Sequence, residues 1–178
     1  MNLSATAQVT SRAARLEEAT FSLLGAWVPT VPEPAAKALL AEQALHHAWH
    51  ASLWRKRQPE VHGLAPGDPV EAAIALDRLL EVLAAMAAGT GEGDATLERL
   101  TGVHVVLADA RRTLYAGLQA TASPASDGPL LRALALVRPD QERDRLAGLA
   151  VLHALVAATE GGPARVEAER RRLARPSA

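Results

Sequence analysis

Apolar residues recur every three or four positions along most of this 178-residue chain, and clusters of proline or glycine interrupt the pattern. This spacing places apolar side chains on one face of an α-helix, whereas a half-buried strand would show strict alternation, which no stretch does. Alanine and leucine, with 39 and 27 copies, are strong helix formers, and the β-branched isoleucine occurs once. The sequence therefore predicts an all-α fold.

The interruptions define where the helices should begin and end. Helical spacing extends over residues 11–28, 34–57, 69–87, 95–120, 129–137 and 140–159. Because Pro139 has no N–H to donate, we expect it to separate a short helix from the last long one, and Gly102 predicts an irregularity. The pattern favours an antiparallel four-helix bundle with an extra short helix, as one domain over residues 1–162. Residues 163–178 are arginine-rich and should form a polar helix or tail.

Composition and charge exclude several classes of protein. Cysteine is absent, which excludes disulfides, thiolate metal sites and a cysteine nucleophile. The 19 basic and 20 acidic side chains nearly balance, so we expect no nucleic-acid partner. The N-terminus does not resemble a secretory signal, and the apolar stretches are too short or too interrupted to span a bilayer. We therefore expect a cytoplasmic protein without a membrane partner.

Three histidines, His46, His47 and His50, share two turns of the second predicted helix. Residues three or four apart face the same side of a helix, so His50 can converge with either His46 or His47 on one divalent cation. Further ligands would have to come from other helices. The first predicted helix offers Glu17, which lies nearer to the apolar arc of that helix than Glu18 does.

The last long helix offers Glu142 and His153 on one stripe. They are about 16 Å apart along the helix axis, so at most one of them can join a given site. Asp77 and His104 are weaker candidates at the margins of their apolar faces. The candidate metal ligands are therefore Glu17, His46, His47, His50, Glu142 and His153.

The same histidines have two interpretations that involve no metal. They can lie at a helix boundary, hydrogen-bonded to carboxylates or water, or they can line a metal-free polar pocket. The three tryptophans, Trp27, Trp49 and Trp54, are interpreted as packing anchors in an otherwise alanine- and leucine-rich core.

Two parts of the sequence resemble ferritin-like domain proteins, over about residues 13–60 and 110–156. In the first half the resemblance rests on residues 17–27, on the proline connector with Glu33 and Lys37, and on residues 46–51 followed by Arg55, Arg57 and Glu60. In the second half, residues 127–134 match a D-x-P-x-x-R-x-L segment, and an acidic stretch at 140–142 and Gly148 follow. The resemblance implies a four-helix bundle, often with an iron or di-metal carboxylate centre.

The chain departs from the ligand pattern of that family. Where an acid usually stands three residues before a histidine, Gln43 precedes His46 and His47 precedes His50. In the final helix, alanine stands at position 150, three residues before His153, where the family pattern has an acid. A di-iron centre needs four carboxylates and two histidines, and the chain does not supply that set. We therefore expect an incomplete di-iron site that is mononuclear, altered or empty.

Three functions are compatible with these features. The first is an accessory or small-molecule-handling protein with an incomplete di-iron site. The second is a metal-dependent oxidative enzyme of specialised metabolism, with Glu17, His47 and His50 as ligands and Glu142 completing or tuning the site. The third is a helical interaction module that forms a homodimer. The cofactor would be iron or another divalent metal, or none.

Overall fold

A computed structural model describes residues 1–60, 71–86 and 95–174, and the regular secondary structure in these ranges is helical throughout. The prediction of an all-α fold is confirmed for this part of the chain. The predicted ends of the third helix, residues 69 and 87, lie outside the described residues. The helices are α1 (Leu3–Trp27), α2 (Pro34–Arg55), α3 (Glu71–Ala85), α4 (Ala95–Thr101), a π-helical segment (Gly102–Leu107), α5 (Ala108–Thr121), α6 (Gly128–Ala158) and α7 (Gly162–Ala174).

Helix α1 begins about two turns earlier than predicted. Asn2 caps it, since its side chain accepts a hydrogen bond from the backbone N–H of Ala5 at 2.8 Å. Thr10, one residue before the predicted start, is buried, and its hydroxyl donates to the carbonyl of Thr6 at 2.7 Å. The threonine therefore bonds back to the preceding turn inside the helix.

Pro139 lies inside the continuous helix α6, so the predicted division into a short helix and a last long helix was wrong. An interior proline costs about 3 kcal/mol because it removes one hydrogen bond and crowds the preceding turn. Leu134 and Val137 before it and Leu152 after it are buried. Each such side chain contributes about 1.5–3 kcal/mol on burial, which offsets the cost of the proline.

Gly102 marks the start of the π-helical segment, which confirms the predicted irregularity. The segment continues directly into α5, so that α4, the π-helical turns and α5 form one uninterrupted helical rod. The arginine-rich segment forms α7 up to Ala174, the last described residue, and Arg165 ties this helix to Glu98 of α4 at 2.5 Å. No described helix combines the length and apolar character that crossing a bilayer requires.

Two apolar clusters fill the interior. Helix α1 packs along α2, and α6 contacts α2, α4, α5 and α7. The larger cluster includes Leu24, Trp27 and Leu40, together with side chains from α3, α4 and the π-helical segment. The smaller cluster includes Trp54 and Tyr115, together with alanines of α1 and leucines of α6. Between them, α1 and α2 contribute a layer of buried polar side chains.

Candidate metal site

The buried polar layer brings together Glu17, His47 and His50, whose relative exposure is at most 1%. On α1, Glu17 lies on the buried stripe between Ala13 and Thr20. On α2, the two histidines lie on the buried stripe that leads to Trp54. One ligand atom of each of the three residues lies within 4.8 Å of the others. The buried faces of α1 and α2 therefore bring a carboxylate and two imidazoles to one point.

The Glu17 carboxylate is the centre of the hydrogen-bond network. Its Oε2 accepts from His47 Nδ1 at 2.5 Å, and its Oε1 accepts from the Tyr115 hydroxyl at 2.6 Å and from Gln141 Nε2 at 2.8 Å. Burial raises the pKa of Glu17, but the two histidines and Arg111 together hold this pKa well below its usual range. Glu17 is therefore an ionised carboxylate in the interior.

His47 lies between this carboxylate and a buried cation. The Arg111 Nη1 nitrogen donates to His47 Nε2 at 3.0 Å, while His47 Nδ1 donates to Glu17. Burial first, and then the charge of Arg111, lowers the pKa of His47. The imidazole is therefore neutral, with its hydrogen on Nδ1.

His50 lies between two carboxylates. Its Nε2 is 3.5 Å from Asp140 Oδ2, and its Nδ1 is 3.6 Å from Glu17 Oε2. The Nδ1 atom is buried and has no hydrogen-bond partner. When His50 donates from Nε2 to Asp140, its Nδ1 carries a lone pair that faces the Glu17 carboxylate. A cation between these two acceptor atoms would stabilise their close approach. The donor set of one carboxylate and two imidazoles could hold a divalent metal ion, which would have to take the place of the hydrogen between His47 Nδ1 and Glu17.

The structure does not bring the other predicted ligands to this group. His46 is directed to the rim, where its Nδ1 donates to Asp144 Oδ1 at 2.9 Å and its side chain is 33% exposed. Glu142 binds Arg145 through two hydrogen bonds at 2.9 and 2.7 Å, and this contact lowers the pKa of Glu142. His153 is exposed. Helix phase explains these positions, because the buried stripe of α2 passes through Gln43, His47 and His50.

Four residues of the site, Arg111, Tyr115, Asp140 and Gln141, were not among the site residues predicted from the sequence. Arg111 follows Asp109 and precedes Arg112, in a pattern typical of a solvated helix face, yet its relative exposure is 4%. Tyr115 has no exposure and stacks on Trp54 with ring centroids 5.6 Å apart. Asp140 and Gln141 follow Pro139, so their inward orientation depends on the unexpected continuity of α6.

A third buried histidine, His104, lies in the π-helical segment and not at the margin of an apolar face. Its Nε2 is buried and has no hydrogen-bond partner in the described part of the chain. Burial, and next the charge of Arg111, lowers the pKa of His104 to about 3. A neutral histidine at this position makes the stability of the fold sensitive to acid.

We expect the free energy of unfolding to fall as the pH falls below about 6.5, the pKa of a histidine in an unfolded chain. Between that value and the folded pKa of about 3, the unfolded chain binds a proton that folded His104 does not. The expected loss approaches about 1.4 kcal/mol for each pH unit. Urea titrations of the wild type and His104→Gln between about pH 7 and 5 would measure it. His104→Gln should flatten the pH dependence, and the exposed His153→Gln should not; equal slopes for all three proteins would contradict the prediction.

Comparison of the chain with protein-family models, with curated proteins and with solved structures found no match. The interpretation of the site therefore rests on its own geometry and chemistry.

Proposed function

We propose that this chain is a ferritin-like four-helix bundle that binds one divalent metal ion and acts as an oxidative enzyme on a small molecule. The observation that carries the proposal is the buried group of Glu17, His47 and His50. Two histidines and one carboxylate are the ligand set typical of non-haem iron(II) oxygenases. A bound iron would supply one-electron redox chemistry and Lewis acidity at this point of the interior.

The surrounding residues support such a role by fixing the three ligands. Tyr115 and Gln141 both donate to Glu17 Oε1, so that Oε2 faces the imidazoles. Asp140 faces the outer nitrogen of His50, as the carboxylate partner of a ligating histidine commonly does. The apolar clusters on both sides limit the access of water. These contacts favour one defined arrangement of the donor atoms.

The number of carboxylates favours one metal ion over two. A di-iron centre of the ferritin-like type uses four carboxylates with its histidines. Within the described ranges, Glu17 is the carboxylate that belongs to the group, while Asp144 bonds to His46. This supports the interpretation of an incomplete di-iron site that is mononuclear.

An accessory, small-molecule-handling role without a metal is the second candidate, and Arg111 favours it. Its guanidinium already places a positive charge against His47, and both Glu17 oxygens already accept hydrogen bonds. In that case the polar layer orders the helices without chemistry of its own. Formation of a homodimer is a separate prediction, which the mass of the protein in solution would test.

Metal binding by chelator-treated, untagged protein separates the two candidates. We expect one iron(II) per chain in the absence of oxygen, and one cobalt(II) as a redox-stable substitute, measured by calorimetry and elemental analysis. His50→Gln should weaken binding by about 100-fold or more, because even the loss of a residue that only supports a ligand costs about 10–100-fold.

His46→Gln is the matched control, since it makes the same change on the same helix at a residue outside the group. It should leave the affinity for cobalt(II) unchanged. Wild-type protein that binds no stoichiometric metal, or two variants that lose affinity equally, would overturn the metal site and favour the accessory role.

A further inference from the structure

A cleft of about 530 Å³ opens between α5 and α6 beside the candidate metal site. Arg111, Tyr115 and Gln141 line the cleft, and the same three side chains hydrogen-bond to His47 or Glu17. One layer of side chains therefore separates the cleft from the metal ligands. A molecule in the cleft would touch the residues that position Glu17 and His47.

The cleft is strongly cationic. Four arginines and one carboxylate, Glu142, are among its lining residues. Arg145 is paired with Glu142, and Arg112 lies 3.2 Å from Asp109. The other two arginines, Arg111 and Arg138, bond to neutral groups.

Arg138 donates to the side-chain oxygen of Gln119, a neutral amide. Arg111 donates to the neutral imidazole of His47, and its Nε is buried without a hydrogen-bond partner in the described part of the chain. The negative charge of Glu17 partly offsets that of Arg111, whereas no carboxylate is hydrogen-bonded to Arg138 in the described part of the chain. Arg111 and Arg138 both line the cleft, and guanidinium groups donate charge-assisted hydrogen bonds to anions.

The remaining lining is apolar and comes mostly from α6. Leu134, Ala135 and Pro139 form this wall, and Ala108 faces them from α5. A volume of this size, with an apolar wall and a few charged groups, suits a small organic molecule.

We propose that the cleft binds a small organic acid, with its carboxylate at Arg138 and Arg111 and its apolar body against Leu134 and Pro139. Arginine recognises carboxylates through paired, charge-assisted hydrogen bonds, which gives the cleft its preference for an anion. The acid is also the substrate of the metal site, and this second part of the proposal rests on the proposed function. Its binding to the cleft requires no metal.

Calorimetry on metal-free, chelator-treated protein tests the binding directly. Benzoate should bind, and benzamide, which has nearly the same shape without the charge, should bind at least about tenfold more weakly. Arg138→Gln should weaken benzoate binding by about tenfold or more. Arg132→Gln is the matched control, because Arg132 lies on the exposed face of α6 and does not line the cleft, and this variant should bind benzoate as the wild type does.

Several outcomes would overturn the proposal. Benzoate that binds no tighter than benzamide, or equal effects of Arg138→Gln and Arg132→Gln, would remove the carboxylate site. Inorganic phosphate that binds more tightly than benzoate would replace the organic acid with a phosphate ligand.

A second arm asks whether the acid reaches the metal site. Benzoate added to cobalt(II)-loaded protein should change the visible absorption of the metal. An unchanged spectrum with benzoate bound would remove the role of the acid as substrate and leave the cleft as a binding site. A protein that binds no cobalt(II) would overturn the proposed function, while the calorimetry would still decide the cleft.

Discussion

Glu17→Gln is expected to lower the free energy of unfolding of the metal-free protein by about 3–5 kcal/mol, whereas Glu18→Gln should lower it by less than about 1 kcal/mol. The two changes are identical in chemistry and adjacent in sequence. They differ in surroundings, because Glu17 is fully buried and Glu18 forms an exposed ion pair with Arg55 at 2.6 Å.

The large effect follows from the hydrogen bonds that a glutamine cannot reproduce. The oxygen of a glutamine could still accept from Tyr115 and Gln141, but its NH₂ group would then face the Nδ1–H of His47. His47 cannot move its hydrogen to the other nitrogen without losing the bond from Arg111. The substitution also removes the negative charge that offsets the buried Arg111 guanidinium.

Urea unfolding of the chelator-treated variants near neutral pH measures the difference independently of any metal. If both variants lost the same small amount of stability, the buried network would not contribute to folding as described.

Helix phase made part of the site predictable from the sequence. Glu17 was preferred over Glu18 because the apolar positions of the first helix fix which side faces inward, and the structure confirms this choice. On α2 the pattern left His46 and His47 both open as partners of His50. Adjacent residues lie about 100° apart around a helix. The few large apolar residues of α2 do not define closely enough which side of the helix faces inward. In the folded chain His47 meets Glu17 of α1, and His46 meets Asp144 of α6.

Contacts between residues far apart in the chain could not be predicted from the sequence. Arg111 and Tyr115 are separated by many residues from the groups they contact, and no local spacing rule brings them to Glu17.

The tryptophans were predicted only in part. Trp27 and Trp54 are buried anchors as predicted, but Trp49 is 48% exposed, so that interpretation was wrong for Trp49. The continuity of α6 through Pro139 was missed because burial on both sides of the proline outweighs its local cost.

Gly148→Ala tests the packing of α6 against the π-helical segment, and we expect it to destabilise the fold by about 2–3 kcal/mol. A Cβ at position 148 would overlap the imidazole ring of His104. That ring is buried, with 2% exposure, and so has little space into which it could turn. Either the ring or the helix must move, and both movements disturb the π-helical turns that precede α5.

Gly117→Ala is the matched control, because it makes the same substitution within α5 at a position where a Cβ would meet nothing within 4 Å. Alanine is the better helix former, so this variant should gain about 0.5–1 kcal/mol. Urea unfolding of both variants should therefore show shifts of opposite sign. A stabilised Gly148→Ala would mean that His104 does not occupy the space beside α6, and the acid sensitivity assigned to that histidine would lose its structural basis.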